Sequence, residues 1–222
     1  MTMNDTTIRI LLADDHRMLR EGIKSLINRE PDMHVIAEAK DGREAIMMVE
    51  RFSPDVVILD ISMPHLNGVE ATRQITGCNP APKVIALSMH NDQHYIRGMF
   101  SAGASGYLLK SSAFEELTHA IREIVKNNVF VSSEITGVVI NDYAYNLLHR
   151  PAVGVNQLTS REREILQLLA EGAGTKDIAQ YLNISSNTVD SHRKHVMTKL
   201  GLNSIAELTK YAVKNGITTL DI

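Results

Sequence analysis

Short apolar runs alternate with helix-length amphipathic stretches through the first 128 residues. The runs are Ile8 to Ala13, Met33 to Ala39, Asp55 to Asp60, Lys83 to Met89 and Gly106 to Lys110. They are mostly rich in Val, Ile and Leu and nearly continuous, as strands buried on both faces of a parallel sheet are. Between them, Arg17 to Asn28 places Met18, Leu19, Ile23, Leu26 and Ile27 on one face. Gly42 to Phe52 does the same with Ala45, Ile46 and Val49, and shorter patterns cover Glu70 to Ile75 and Tyr95 to Ala102. Phe114 to Lys126 closes the series, with Leu117, Ile121, Ile124 and Val125 at helical spacing. Five strands alternating with five helices predict an α/β domain, a doubly wound five-stranded parallel sheet, over residues 1–128.

The regularity then breaks. Residues 129–156 read as a linker with a helix of its own: Ser132 or Ser133 can cap a stretch bearing Ile135, Val138, Val139 and Leu147. Arg150-Pro-Ala-Val-Gly-Val-Asn156 holds Pro and Gly close together, as connecting segments do. From residue 157 to 222 the pattern is helical throughout. Thr159-Ser-Arg-Glu162 has the form of a capping box opening a helix with Ile165, Leu166, Leu168 and Leu169. A second helix is predicted from Lys176 to Leu182. A third, capped by Ser185 or Ser186, runs to about Leu200 before Gly201, and a fourth covers Ser204 to Lys214. Two short helices joined by a tight turn describe helix-turn-helix geometry, in which the second enters the major groove of DNA.

Composition narrows the class. No apolar run approaches the roughly 20 residues of a membrane span, and the polar start lacks a signal-peptide pattern, so the expected location is the cytoplasm. One cysteine, Cys78, cannot build an internal disulfide framework. The net charge of −3 argues against bulk attraction to nucleic acid. Residues 1–128 carry 14 Lys and Arg against 17 Asp and Glu, and residues 157–222 carry 8 against 7. DNA affinity would have to come from a local patch. The third C-terminal helix supplies one, with His192, Arg193, Lys194, His195 and Lys199. By pattern alone, the same residues fit the solvated polar face of an ordinary helical domain equally well.

Candidate chemistry gathers at one sheet edge. In the strand order 2-1-3-4-5, ligands bind beyond the carboxyl ends of the strands, in the crevice between the first and third. Those two strands end in Asp14-Asp15 and in Asp60. Three carboxylates that close repel, and a hard divalent cation such as Mg²⁺ is the natural compensator. The fifth strand ends in Lys110 and the fourth in Ser88, adding an ammonium and a hydroxyl. That set suits phosphoryl transfer to a carboxylate, and Asp60 is the choice of nucleophile.

Leu12-Ala-Asp-Asp-His16, Leu59-Asp-Ile-Ser-Met-Pro64, Ala86-Leu-Ser88 and Gly103-Ala-Ser-Gly-Tyr-Leu-Leu-Lys110 together resemble the flavodoxin-like receiver domain of two-component response regulators, over about residues 8–128. The resemblance implies that Asp60 takes a phosphoryl group from a sensor histidine kinase. It further implies Mg²⁺ ligated by Asp15, Asp60 and the Ser62 carbonyl, with Asp14 acting through water. It places Lys110 on the phosphoryl group and makes Ser88 and Tyr107 a switch pair. Ser111 departs from the proline that many receivers carry after this lysine.

Leu158-Thr-Ser-Arg-Glu-Arg-Glu-Ile-Leu166, Asp177-Ile-Ala-Gln-Tyr-Leu182 and Ser185-Ser-Asn-Thr-Val-Asp-Ser-His-Arg-Lys194 resemble the LuxR/NarL-type DNA-binding domain, over about residues 157–215. This implies a third helix that reads double-stranded DNA at paired half-sites, a fourth that can mediate dimerisation, and a regulator working with RNA polymerase. The DNA-facing candidates are Thr188, Asp190, Ser191, Arg193, Lys194 and Lys199, with Lys194 the leading contact. Asp190 stands where some relatives have Lys; it can accept a hydrogen bond from cytosine but cannot bind a phosphate. The expected protein is a transcription regulator, not an enzyme beyond its own phosphoryl transfer and dephosphorylation. The alternatives are a phosphorelay or adaptor protein acting through protein contacts, and a haloacid-dehalogenase-type phosphohydrolase. The latter carries a second Asp two residues after the nucleophile, where this chain has Ser62.

Overall fold

The computed structural model describes residues 7–112, 114–148 and 158–218, with the side chains of 142–148 left aside. The chain divides into two compact units, Met1–Leu148 and His149–Ile222. In the first, strands β1 (Ile8–Ala13), β2 (Met33–Ala39), β3 (Val56–Asp60), β4 (Lys83–Ser88) and β5 (Gly106–Leu109) alternate with helices α1 (Arg17–Ile27), α2 (Gly42–Phe52), α3 (Gly68–Ile75), α4 (Gln93–Ser101) and α5 (Phe114–Val125). All strand pairs are parallel, in the order β2-β1-β3-β4-β5-β6.

The sixth strand corrects the five-strand expectation. β6 (Phe130–Val131) pairs with Gly106 and Tyr107 of β5. Two residues are too few to show a period, which is why the apolar pattern did not reveal it. The helix expected within the linker is α6 (Ser133–Leu148). It belongs to this unit: Ile135 is fully buried in the core, with Val138 and Val139 packed against it. The Arg150 to Asn156 segment lies outside the described residues. The Lys110–Ser111 peptide is trans; among the described residues the cis bond is Asn79–Pro80.

Strand residues alternate between two cores. Leu11, Val57, Leu59, Val84, Ala86 and Tyr107 face Ala45, Val49, Ala71, Ile75, Ile96 and Met99 from α2, α3 and α4. Ile10, Leu12, Val56, Ile58, Ile85 and Leu108 face Ile23, Ile27, Leu117, Ile121 and Ile124 from α1 and α5. β3 is buried along its whole length, so water meets its carboxylate only at its end.

The second unit contains α7 (Ser160–Ala170), α8 (Thr175–Leu182), α9 (Ser186–Leu200) and α10 (Ile205–Lys214) around Ile165, Leu166, Ile178, Val189, Val196 and Leu208. The capping box forms: the Thr159 side chain accepts from Glu162 N–H while the Glu162 carboxylate accepts from Thr159 N–H. Three residues turn the chain from α8 to α9. Asn183 takes the left-handed conformation (φ 51°), and Ser185 caps α9 by accepting from Thr188 N–H. Among the described residues, no helix is long and apolar enough to cross a membrane.

Candidate functional site

The parallel register sets Ala13 beside Leu59 and Asp60 beside Leu87, so the carboxyl ends of β1, β3 and β4 finish level. Asp14 and Asp60 are both buried, 1% and 3% exposed, and share one cation. Lys110 Nζ lies 2.7 Å from Asp14 Oδ2 and 2.7 Å from Asp60 Oδ2. Lys110 itself follows Ser88 across the sheet, its N–H donating to the Ser88 carbonyl at 2.7 Å. Ser62 N–H donates to Asp60 Oδ1 at 3.3 Å, and His16 N–H donates to Asp14 Oδ1 at 2.7 Å. Asp15 is more open, with His16 Nδ1 2.8 Å from its Oδ1. Burial pushes the Asp60 carboxyl above the ordinary aspartate range, against the pull of Lys110. Burial also acts to lower the Lys110 ammonium, but Asp60 and Asp14 outweigh it and the net shift is upward.

The donor set fits a hard cation. One ligand atom from each of Asp14, Asp15, His16 and Asp60 lies within 4.8 Å of all the others. Asp14 Oδ2 is buried and reached by the Lys110 ammonium at 2.7 Å, a contact that leaves a further lone pair on that carboxylate oxygen for a cation. Carboxylate oxygens of this kind suit Mg²⁺ better than a soft metal.

Ser88 and Tyr107 are both fully buried, and they meet at the same residue. Ser88 Oγ accepts from His90 N–H at 3.0 Å, and Tyr107 Oη donates to the His90 carbonyl at 2.8 Å. Burial pushes the Tyr107 hydroxyl strongly up, so it acts as a neutral donor.

Two contributors were missed by sequence reasoning. His90 carries no pattern signal, since its role arises only where loops meet. Gly68 lies where the loop after β3 crosses back, its N–H donating to the Ile61 carbonyl at 2.9 Å. A Cβ there would sit 2.2 Å from the Asp60 carbonyl oxygen and 2.8 Å from Ile61 Cα. Gly68→Ala is therefore expected to shift the Asp60 loop and lower receiver stability by about 2 kcal/mol in urea unfolding. An unchanged midpoint would show that the loop yields freely.

On α9, Val189 and Val196 are buried, while Asn187, Thr188, Ser191, Lys194, His195 and Thr198 are exposed. Thr188, Ser191 and Lys194 thus share one outward surface. Arg193 pairs with Asp190 at 3.1 Å, and both are half-buried. Lys199 differs from the other candidates. Its ammonium lies 2.7 Å from the buried Glu162 carboxylate, tying the end of α9 to the start of α7. Burial acts to raise the Glu162 carboxyl, but Lys199 and Thr159 outweigh it and hold it below the usual range.

Residues 10–122 match the model of the response regulator receiver domain, and residues 156–212 match that of bacterial regulatory proteins of the luxR family. The oxygen regulatory protein NreC of Staphylococcus haemolyticus is 40% identical over 212 residues, covering 93% of this chain and 97% of that protein. A LuxR-family two-component response regulator from Aurantimonas is 38% identical in its crystal structure, with a TM-score of 0.60 over 62% of this chain and 99% of that one. RcsB from Salmonella enterica serovar Typhimurium, bound to promoter P1flhDC with the phosphomimetic BeF3−, is 26% identical, with a TM-score of 0.59 over 96% of this chain and 100% of that one. The paired carboxylates under one ammonium, the helix-turn-helix unit and these matches agree: the chain belongs to the LuxR-family DNA-binding response regulators of two-component systems.

Proposed function

We propose that a sensor histidine kinase phosphorylates Asp60, and that this controls dimerisation and sequence-specific binding to paired DNA half-sites, regulating transcription by RNA polymerase in the cytoplasm. The observation that carries the reading is Lys110 Nζ, 2.7 Å from both Asp60 and Asp14 at the crevice between β1 and β3. An ammonium there faces the phosphoryl oxygens while Asp60 supplies the nucleophile. A carboxylate oxygen of Asp60 forms the new O–P bond as the P–N bond to the kinase histidine breaks. The imidazole leaves with the bonding pair and takes a proton from solvent.

Asp15, Asp60 and the Ser62 carbonyl would hold Mg²⁺, with Asp14 assisting. When bound, the ion supplies charge neutralisation on the phosphoryl oxygens. Ser88 would then turn its hydroxyl toward the phosphoryl group, and Tyr107 would move with it. To take a two-state receiver from about 1:99 to 99:1 requires roughly 5.5 kcal/mol of differential stabilisation. The acyl phosphate, its cation and a new dimer interface are the sources.

The test is DNA selected from a genomic pool, with affinity measured with and without acetyl phosphate and Mg²⁺. The reading expects tighter binding with the donor, and equal affinity in both conditions would contradict it. Within the DNA-binding unit, Lys194 is read as a phosphate or base contact and Lys199 as a support for the fold. Lys194→Ala should weaken binding roughly three- to tenfold and lower the salt slope by about one, leaving thermal stability unchanged. Lys199→Ala should instead cost about 1 kcal/mol of domain stability, because it strips the cation from Glu162. Reversed outcomes would exchange their roles.

A further inference from the structure

The loop after β4 is organised by His90. Its N–H donates to Ser88 Oγ and its carbonyl accepts from Tyr107 Oη, at 3.0 and 2.8 Å. Ser88 cannot re-aim its oxygen without releasing that N–H. Tyr107 cannot leave without giving up its acceptor, and a buried hydroxyl without a partner is costly. The position of the His90 main chain therefore governs both residues.

The imidazole fixes that position from two sides. It stacks on Tyr95 of α4, with ring centroids 4.5 Å apart and planes 19° apart. Its Nε2 lies 3.1 Å from Ser62 Oγ. Ser62 in turn donates its N–H to Asp60 Oδ1. A continuous set of contacts thus runs from the Asp60 carboxylate through Ser62 and the His90 ring to α4, separate from the hydroxyl of Ser88.

We propose that the His90 side chain is a positioning residue: it holds Ser88 and Tyr107 in the resting arrangement and releases them when a phosphoryl group on Asp60 draws Ser62 away. This rests on the reading of Asp60 as phosphoacceptor. A phosphoryl group offers Ser62 N–H an acceptor farther out, which breaks the Ser62–His90 contact and leaves only the stack on Tyr95. Spatial continuity alone is not coupling, so the test must measure coupling directly.

Full-length protein carrying 3-fluorotyrosine reports the Tyr107 environment by fluorine NMR, the signal among its 6 tyrosines assigned with Tyr107→Phe. Intact mass is recorded alongside, before and after acetyl phosphate with Mg²⁺. Without donor, His90→Ala should raise the displaced Tyr107 population about tenfold, from loss of one hydrogen bond and one ring stack. Ser62→Ala and His90→Phe, which keeps a ring on Tyr95, should each raise it roughly threefold. Ser62→Ala should add nothing to His90→Ala, because both act through one contact. A Tyr107 population unchanged in His90→Ala, or effects of the two alanine variants that simply multiply, would overturn the proposal. Should His90→Ala fail to fold, an unchanged population in both His90→Phe and Ser62→Ala would overturn it equally. A wild-type mass that gains no phosphoryl group would refute the phosphoacceptor reading instead, leaving the resting Tyr107 populations to judge His90.

Discussion

Asp60→Asn will incorporate no phosphoryl group from acetyl phosphate, a fall of at least about a thousandfold, and will bind DNA identically with and without the donor. The amide has no nucleophilic carboxylate oxygen, and Asp14, though held by the same ammonium, lies just past the end of the neighbouring strand β1. The same substitution will stabilise the receiver in the absence of divalent cations. Burial raises the Asp60 carboxyl above its unfolded value. A carboxyl shifted that way contributes its stability fully below the unfolded value and loses it as pH rises through the folded one. At neutral pH the ionised Asp60 is therefore a burden that asparagine removes, and the difference between the variants should close as the pH falls. Added Mg²⁺ should restore the wild type more than the variant, because binding to the folded state adds stability in proportion to affinity. Thermal unfolding with and without chelator, across pH, reads all three effects. A variant less stable than wild type in chelator at pH 7 would contradict the electrostatic account.

Lys110→Met will separate the structural role of the ammonium from its chemical one. The Lys110 side chain is 6% exposed and touches both buried carboxylates. Taking the ammonium from between two buried carboxylates costs about 3–5 kcal/mol, since both anions then stay buried without compensation, whereas loss of Asp60 leaves the Asp14–Lys110 pair balanced. Two facing carboxylates should then be relieved by protonation at lower pH or by a divalent cation. Mg²⁺ is expected to recover much of the lost stability, yet phosphoryl uptake should stay about a hundredfold below wild type, because no ammonium faces the phosphoryl oxygens. Chemical denaturation and initial rates of phosphorylation measure the two effects separately. Full recovery of the rate by Mg²⁺ alone would mean that Lys110 serves the fold and not the reaction.

The alternation of strands and helices was legible because both faces of the sheet are covered. Runs such as Val56 to Leu59 must be apolar at every position, and such runs are hard to mistake. From the strand ends alone, topology could bring Asp14, Asp60 and Lys110 to one crevice, and the structure places them within ion-pair distance. What escaped the sequence depends on contacts between distant segments. β6 is two residues long and is defined only by its pairing with β5. His90 matters because loops after two different strands meet at its ring and its main chain. Gly68 matters because the chain doubles back onto Asp60. Lys199 illustrates the converse: charge counting put it in the basic patch, while its partner Glu162 lies 37 positions away in the capping box.

The most direct test is to locate the modified atom. After treatment with acetyl phosphate and Mg²⁺, borohydride reduction converts an aspartyl phosphate to homoserine, which peptide mass spectrometry can place. The account predicts homoserine at position 60 and nowhere else. Homoserine at position 14 or 15, or none in protein that still binds DNA more tightly after the treatment, would contradict it.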